Sequence, residues 1–168
     1  MNTEMTVKLR DATATLELGR VLGEALARSH QPPALLLCGD LGAGKTTLTR
    51  GLVQALPGAA EAEVSSPSFN IINQYPTRPP VAHFDLYRLE NMPVDDEILD
   101  QLAGEGSLNI VEWAQFLDRR HWPEPRLELE LTSDAGGRIA RLRAVGVAAE
   151  TLLETVRLRS PETFFSKE

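Results

Sequence analysis

Apolar residues follow two different patterns along the first third of the chain. Residues 34–38, ALLLC, form an unbroken apolar run, which is typical of a strand buried on both faces of a parallel sheet. The flanking segments repeat apolar residues at helical spacing, which predicts helices over 13–28 and 45–56. Asp11 or Thr13 would cap the first helix. A buried strand between two such helices indicates an α/β fold.

The rest of the chain predicts further strands and helices. Two hairpins are indicated, one turning at PTRPP (76–80) and one at SDAGG (133–137). The predicted strands cover 69–75, 81–85, 107–112, 126–132 and 138–145, and the predicted helices cover 95–102, 113–122 and 147–158. Residues 1–158 are predicted to form a single domain, and residues 159–168 a flexible C-terminal tail that is frayed or used for contacts.

The loop between the first predicted strand and its following helix carries a phosphate-binding pattern. Gly39, Gly44, Lys45 and Thr46 fit G-x-x-x-x-G-K-[ST]. The glycines allow the backbone amides to turn toward a phosphate, and the helix N-terminus adds free N–H groups and partial positive charge. Lys45 would reach the β- and γ-phosphates, and the Thr46 hydroxyl would coordinate magnesium.

The competing interpretation of this loop is a glycine turn that binds nothing. The context argues for the nucleotide, because a buried strand precedes the loop and a helix follows it, as the pattern requires. Lysine is also scarce in this chain. Its three lysines include only one in the interior of the sequence, Lys45, and that one falls inside the pattern. The sequence therefore predicts nucleotide binding.

Two acidic residues stand where predicted strands end. Asp85 closes VAHFD and Glu112 closes LNIVE. Ligands of open α/β sheets sit outside the carboxyl ends of the strands, so both acids would face the phosphate loop if their strands run parallel to 34–38. One would hold Mg²⁺ through its water molecules, and the other would orient an attacking water. The competing interpretation is that each acid caps a following helix.

Two further features carry a weaker signal. A hydroxyl-rich loop lies where nucleotide switches are commonly placed, although by pattern alone a polar turn is the simpler interpretation. Its residues are Ser65, Ser66, Pro67, Ser68 and Phe69. His83 alternates with apolar residues in a predicted strand. A lone strand histidine is more often structural than catalytic, and His83 is therefore not predicted to belong to the site.

Composition restricts the class of protein. The chain has 168 residues, which fits one domain, and a formal net charge of −7. Nucleic-acid binders usually carry basic patches, so neither DNA nor RNA is predicted to bind the protein alone. No apolar run approaches the ~20 residues of a membrane span, residues 1–10 lack a signal-peptide core, and Cys38 has no second cysteine to pair with. These features predict a cytoplasmic protein without membrane contact.

Four motifs occur together and in order. They are GDLGAGKTT, SSPSF, HFDLYRL and VEWAQFL. This set resembles the bacterial TsaE family over roughly residues 11–145. The resemblance implies a P-loop NTPase-like fold with a mixed, partly parallel sheet flanked by helices. It also implies a weak, Mg²⁺-dependent ATPase that is required for threonylcarbamoyladenosine at position 37 of tRNAs reading codons that begin with A. Family members act through a TsaB–TsaD heterodimer and meet tRNA only indirectly.

The resemblance also implies roles for individual residues. The phosphates would be bound by Gly42, Ala43, Gly44, Lys45, Thr46 and Thr47, and magnesium would be held by Thr46 and Glu112. Asp85 and Lys45 would serve hydrolysis, and Ser65–Phe69 would be the first switch loop. Thr13 and the hairpin around Arg138 would flank the adenine. Two features depart from the family pattern: serines replace threonines at both Ser65 and Ser68, which keeps the hydroxyls, and Ala114 replaces a proline.

Three alternative functions can be considered on the sequence, of which the kinase and the binding module remain open. A small-molecule P-loop kinase usually has an arginine-bearing lid, and no insertion of that length is visible near Arg78 or Arg88. A GTPase would carry an N-K-x-D segment, which is absent from the sequence. A nucleotide-responsive binding module without turnover is the third alternative, and the two strand-end acids argue mildly against it.

Overall fold

The computed structural model describes residues 2–67 and 69–165, which contain seven strands and four α-helices. All seven strands belong to one sheet in the order β1-β7-β6-β2-β5-β4-β3. The strands are β1 (Glu4–Leu9), β2 (Ala34–Gly39), β3 (Ile72–Tyr75), β4 (Val81–Asp85), β5 (Leu108–Glu112), β6 (Arg126–Asp134) and β7 (Gly137–Val145). The helices are α1 (Ala12–Leu26), α2 (Lys45–Gln54), α3 (Asp96–Ala103) and α4 (Val147–Arg159).

The sheet is mixed, and this confirms the predicted fold class. The central strands β6, β2, β5 and β4 are parallel, whereas β3 pairs with β4, and β7 with both β6 and β1, in antiparallel fashion. Both predicted hairpins are present, as β3–β4 and β6–β7. The parallel strands bring the carboxyl ends of β2, β4 and β5 to one edge of the sheet, where a nucleotide site is expected.

Close packing of α1 against α2 sets the position of the phosphate loop. Asp11 caps α1 and accepts a hydrogen bond from the Ala14 backbone N–H at 2.9 Å. Glycines let the two helix backbones touch: a Cβ at Gly19 would lie 2.3 Å from the Leu48 carbonyl oxygen, and one at Gly51 would lie 2.3 Å from that of Leu16. Side chains at these positions would push α2, and the loop that precedes it, away from the sheet.

Strand β1 was not predicted. Its sequence EMTVKL alternates polar and apolar residues, and the apolar Met5, Val7 and Leu9 are buried in the core. It pairs with β7 along its whole length, from Glu4 opposite Arg143 to Leu9 opposite Arg138. This alternation of polar and apolar residues predicts a half-buried strand. It was overlooked because residues 1–10 were compared only with the pattern of a signal peptide.

The prediction of a helix over 113–122 is wrong. The segment holds two 3₁₀ turns, Ala114–Phe116 and Arg119–His121, separated by Leu117 in an extended conformation. Pro123 disfavours a helical backbone at Trp122, which is extended. The predicted strand over 69–75 is also too long at its start, because Ile71 has a φ of 63° and the strand begins one residue later.

The C-terminal residues pack against the domain as far as they are described. α4 ends at Arg159, and Phe164 follows in a short 3₁₀ turn with 4% of its surface exposed, within the main hydrophobic core. The proposed boundary at residue 158 stays a prediction, and residues 166–168 lie outside the described range. Among the helices that the structure describes, none is long and apolar enough to cross a membrane.

Candidate functional site

The loop between β2 and α2 adopts a backbone that favours glycine. Gly39, Gly42 and Gly44 have φ values of 150°, 76° and 105°, which L side chains rarely adopt. A Cβ at Gly39 would also lie 2.7 Å from the Leu131 carbonyl oxygen. Gly44 is the N-cap of α2, so the N–H groups of residues 45–47 lack intrahelical acceptors and point out of the helix end. This arrangement has the geometry expected of an anion-binding cradle.

Lys45 is buried at the start of α2, with 4% of its surface exposed. Its Nζ donates to the carbonyl oxygens of Gly39 at 2.7 Å and Asp40 at 2.8 Å, and lies 3.9 Å from the ring centroid of Trp113. Burial lowers the pKa of Lys45, and the charges of Glu112 and Asp85 oppose that change. The ammonium group is therefore held by its own loop, and contact with a phosphate would replace these bonds.

Glu112 lies at the end of β5 and is 2% exposed. Its Oε2 accepts from Thr46 Oγ1 at 3.1 Å, and its Oε1 accepts from Thr49 Oγ1 at 3.2 Å and from His83 Nε2 at 2.9 Å. A carboxylate and a hydroxyl oxygen thus converge at the first turn of α2. Mg²⁺ prefers oxygen ligands and retains several waters, so the pair of Thr46 and Glu112 fits this metal.

Asp85 ends β4 directly opposite Glu112 in the strand register. Both strands are parallel to β2, which is the condition under which both acids face the phosphate loop. Asp85 is 7% exposed, and its two carboxylate oxygens accept from Ser66 Oγ at 2.5 Å and from the Tyr87 backbone N–H at 3.0 Å. The two acids thus share one edge of the sheet but bind different neighbours, and their separate chemical roles stay predictions.

One cavity, of about 420 Å³, collects most of the predicted site residues. Its lining combines residues of the phosphate loop with the two acids and with Ser66 of the hydroxyl-rich loop at residues 65–69, which we call the serine loop. The predicted residues around it are Gly42, Gly44, Lys45, Thr46, Thr47, Ser66, Asp85 and Glu112. Tyr87, Arg88 and Trp113, which were not predicted, also line it. The size is typical of a small-molecule site.

The residues expected near adenine lie outside this cavity lining. Arg138, on β7, donates from Nε to the Ala43 carbonyl oxygen at 3.2 Å and from a terminal nitrogen to that of Gly42 at 2.9 Å. It therefore braces the phosphate loop from the edge of the sheet. Thr13 is exposed and lines a separate groove beside α1 and α2. A contact of either residue with a nucleotide base stays a prediction.

The serine loop is bonded to β3 and to one of the two acids. The Ser65 carbonyl oxygen accepts from Asn73 Nδ2 and from the Tyr75 hydroxyl, both at 3.3 Å. Ser66 donates to Asp85, as described above. Phe69 is 84% exposed, with the Arg88 guanidinium 5.0 Å from its ring centroid. Ser68 lies outside the described residues. The loop is thus tethered at 65–66, beside the site.

The family model described as "Threonylcarbamoyl adenosine biosynthesis protein TsaE" matches residues 9–141. The chain belongs to the TsaE family. Two proteins named tRNA threonylcarbamoyladenosine biosynthesis protein TsaE are similar to it: one from Nostoc sp., 35% identical over 88% of this chain and 90% of its own length, and one from Bacillus subtilis, 34% identical over 73% and 76%. The crystal structure of Bacillus subtilis YdiB is similar with a TM-score of 0.73 and 26% identity, over 94% of this chain and 97% of that one.

Three buried residues of this TsaE-family site were missed by sequence reasoning. Tyr75 and His83, on β3 and β4, connect the serine loop to Glu112, since the Tyr75 hydroxyl lies 3.0 Å from His83 Nδ1. Trp113, directly after Glu112, has a φ of 57° and places its ring against Lys45. A signal for His83 did exist, because residues two apart on a strand share a face, and His83 stands two positions before Asp85.

Proposed function

We propose that the protein is a weak, Mg²⁺-dependent ATP hydrolase required for threonylcarbamoyladenosine formation at position 37 of tRNAs that read codons beginning with A. The observation that carries this proposal is the single cavity where Lys45, Thr46, Asp85 and Glu112 meet beside the glycine cradle. Membership of the TsaE family, with relatives named for tRNA threonylcarbamoyladenosine biosynthesis, supports the choice of pathway.

The proposed roles follow from where each side chain lies. The amides at the start of α2 and Lys45 would bind the phosphates. Thr46 and Glu112 would hold magnesium, which supplies positive charge to the phosphates when it is bound. Asp85 would orient the attacking water or take its proton. Each role needs the residue's present partners to be replaced at least in part, because the loop carbonyls hold Lys45 and Ser66 holds Asp85.

These intramolecular bonds also support the proposal that ATP hydrolysis is slow in the protein alone and faster with its partners. A catalytic acid bonded to a loop serine is not free to orient water, so hydrolysis would follow only after the loop moves. The proposed partner is a TsaB–TsaD heterodimer, which would form the modification itself while this protein supplies ATP binding and hydrolysis. A partner that draws residues 65–66 away from Asp85 would raise the rate without adding any catalytic group.

Phosphate release tests this proposal against the two alternatives. Purified protein is incubated with Mg²⁺ and γ-labelled ATP alone, with the TsaB–TsaD heterodimer, and with candidate small-molecule acceptors. Slow release that the heterodimer accelerates supports the proposal. Label transferred to a small acceptor would instead show a kinase, and tight nucleotide binding without release in any arm would show a binding module. A parallel purification from cells that do not express the protein is the control for contaminating ATPase.

The proposed indirect contact with tRNA is tested separately. The net charge of −7 predicts no tight, strongly salt-dependent binding of tRNA by the protein alone. Proteins that make 6–10 phosphate contacts lose ~10³–10⁵ in affinity between 50 and 200 mM salt. Titration of labelled tRNA at these two salt concentrations, with and without the heterodimer, measures the difference. Submicromolar binding of tRNA by the isolated protein, with a loss of affinity of this size between the two salt concentrations, would overturn the proposal that it reaches tRNA through partners.

A further inference from the structure

A line of buried polar side chains crosses three strands beneath the candidate site. It runs from Tyr75 on β3 through His83 on β4 to Glu112 on β5, and these residues are 5%, 0% and 2% exposed. The strand register explains the line. Tyr75 lies opposite Val81 and His83 lies opposite Ile110, so each member is the diagonal neighbour of the next on one face of the sheet.

The hydrogen bonds along this line have a defined direction. A carboxylate can only accept, so His83 Nε2 carries the hydrogen that is donated to Glu112 Oε1 over 2.9 Å. In the neutral ring, Nδ1 is then an acceptor, and the Tyr75 hydroxyl 3.0 Å away can donate to it. This pattern fixes one tautomer and one ring orientation. It resembles the way that carboxylate–histidine contacts outside a metal's own ligands orient those ligands.

The Tyr75 hydroxyl has a second acceptor within reach, the Ser65 carbonyl oxygen at 3.3 Å. One hydroxyl hydrogen cannot fully serve both acceptors, so the position of the serine loop affects how strongly Tyr75 binds His83. At the other end, Glu112 Oε2 accepts from Thr46 Oγ1. The line therefore joins the serine loop to the carboxylate and hydroxyl that fit magnesium.

We propose that His83 and Tyr75 are positioning residues that aim the Glu112 carboxylate at Thr46 and couple this orientation to the placement of the loop at Ser65. The inference rests on the proposed function for its metal-dependent part. Its loop part does not depend on that function, because the contacts among Ser65, Tyr75 and His83 lie within the protein itself. The alternative is that His83 is a core histidine whose bonds merely satisfy buried polar groups.

Variants of His83 separate these two interpretations. His83→Leu removes the donor to Glu112, whereas His83→Gln keeps an N–H that can reach it. Loss of such an outer partner typically costs 10–100-fold in metal affinity. We expect His83→Leu to reduce the gain in ATP affinity on adding Mg²⁺ by about 10-fold and His83→Gln to restore most of it. The readout is ATP affinity by calorimetry with Mg²⁺ and with EDTA.

Tyr75→Phe tests the link to the loop, because it removes only the hydroxyl. Hydrogen exchange of the backbone amides of residues 62–66 is measured in the nucleotide-free protein. Loss of one such bond is expected to speed exchange by about 2- to 10-fold in Tyr75→Phe. The matched control is Asn109→Leu, which alters a buried residue on the opposite face of β5 and bonded to the Leu102 carbonyl. It should leave these amides and the Mg²⁺ effect unchanged.

The outcomes distinguish failure of this inference from failure of the proposed function. If Mg²⁺ does not change the ATP affinity of the wild-type protein, the proposed function is contradicted. Hydrogen exchange at residues 62–66 would then still test whether Tyr75 is coupled to the loop. If His83→Leu stays folded and keeps the full Mg²⁺ effect, or His83→Gln is no better than His83→Leu, the positioning role is overturned. The coupling between Tyr75 and the loop is overturned if the amides of residues 62–66 exchange at the wild-type rate in Tyr75→Phe. It is also overturned if Asn109→Leu speeds their exchange as much as Tyr75→Phe does.

Discussion

The ends of β4 and β5 lie side by side, yet the acids that they carry are held by different parts of the molecule. Glu112 binds Thr46, Thr49 and His83, which all belong to helices or strands of the domain core. We call this the fixed side of the site. Asp85 binds Ser66, in an irregular loop, and the backbone of Tyr87 in a short 3₁₀ turn. We call this the loop side.

This difference separates an acid whose oxygens are held by the domain core from one that a loop serine holds. The fixed side holds its oxygens in place through buried groups, which is the preorganisation expected of a ground-state binding site. The loop side covers its acid with a serine hydroxyl that water or substrate must displace. Binding would then depend mainly on the fixed side, and the rate of hydrolysis would depend mainly on release of the loop side.

Replacing each acid by its amide should give the largest effects and the clearest separation. Asp85→Asn keeps the shape but removes a proton acceptor that acts in the transition state, so kcat should fall by ~10²–10⁴ with little change in ATP affinity. Glu112→Gln removes charge that offsets the metal in the ground state, so Mg·ATP affinity and turnover should both fall. Nucleotide titration and single-turnover hydrolysis, with the partner heterodimer present, measure both effects. An affinity loss confined to Asp85→Asn would exchange the roles of the two sides.

Variants of Lys45 test phosphate binding next to the fixed side. Lys45→Ala should reduce hydrolysis by roughly 10²–10³-fold, because loss of a preorganised charge contact costs ~3–4 kcal/mol of transition-state stabilisation. Lys45 is buried, so Lys45→Met, which keeps the apolar stem, is the control for packing. Circular dichroism checks the fold of both variants. Hydrolysis within a few-fold of wild type in either folded variant would remove Lys45 from the phosphate-binding role.

Thr46 should give a smaller effect that depends on the metal. Thr46→Val nearly keeps the volume but removes the hydroxyl that faces Glu112, so we expect roughly 10-fold weaker nucleotide binding with Mg²⁺ and little change in EDTA. Thr15→Val is a matched control, since Thr15 is buried against Gly44 but bonds the Asp11 carbonyl instead. Equal losses in Mg²⁺ and in EDTA would place Thr46 outside the metal's ligands, and the fixed side would lose its assigned role.

The phosphate loop and the two acids could be predicted from sequence to the extent that their signals are local. The spacing of Gly39, Gly44 and Lys45 encodes the cradle within a few residues, because turn geometry and a helix start are short-range properties. Asp85 and Glu112 could be placed at one edge because buried apolar runs predict parallel strands. Their hydrogen-bond partners could not be predicted, since Thr49 and His83 reach Glu112 only through tertiary packing.

The other differences between the predicted and the observed structure also arise from tertiary packing. The diagonal from Tyr75 to Glu112 depends on the register of three strands, and a shift of one residue would turn these side chains to the other face. The segment 113–122 has helical spacing of its apolar residues, but Trp113 in a left-handed conformation and Pro123 confine it to two 3₁₀ turns. Propensity alone does not reveal such tertiary constraints.

Cys38 provides the smallest test and reports on whether β2, the strand that leads into the phosphate loop, keeps its packing when nucleotide binds. It lies on β2 next to Gly39, and burial raises the pKa of its thiol from 9.0 to about 11. This shift lowers the thiolate fraction at neutral pH about 100-fold, and the greater nucleophilicity of a more basic thiolate recovers about 10-fold. Folded protein should therefore react with iodoacetamide about 10-fold more slowly than protein unfolded in guanidinium, and its rate should keep rising with pH until about 11. Addition of Mg·ATP should leave this rate unchanged while it alters hydrogen exchange at 62–66. A thiol rate that rises several-fold with nucleotide would mean that β2 opens as well, and the movement would then not be confined to the loop side.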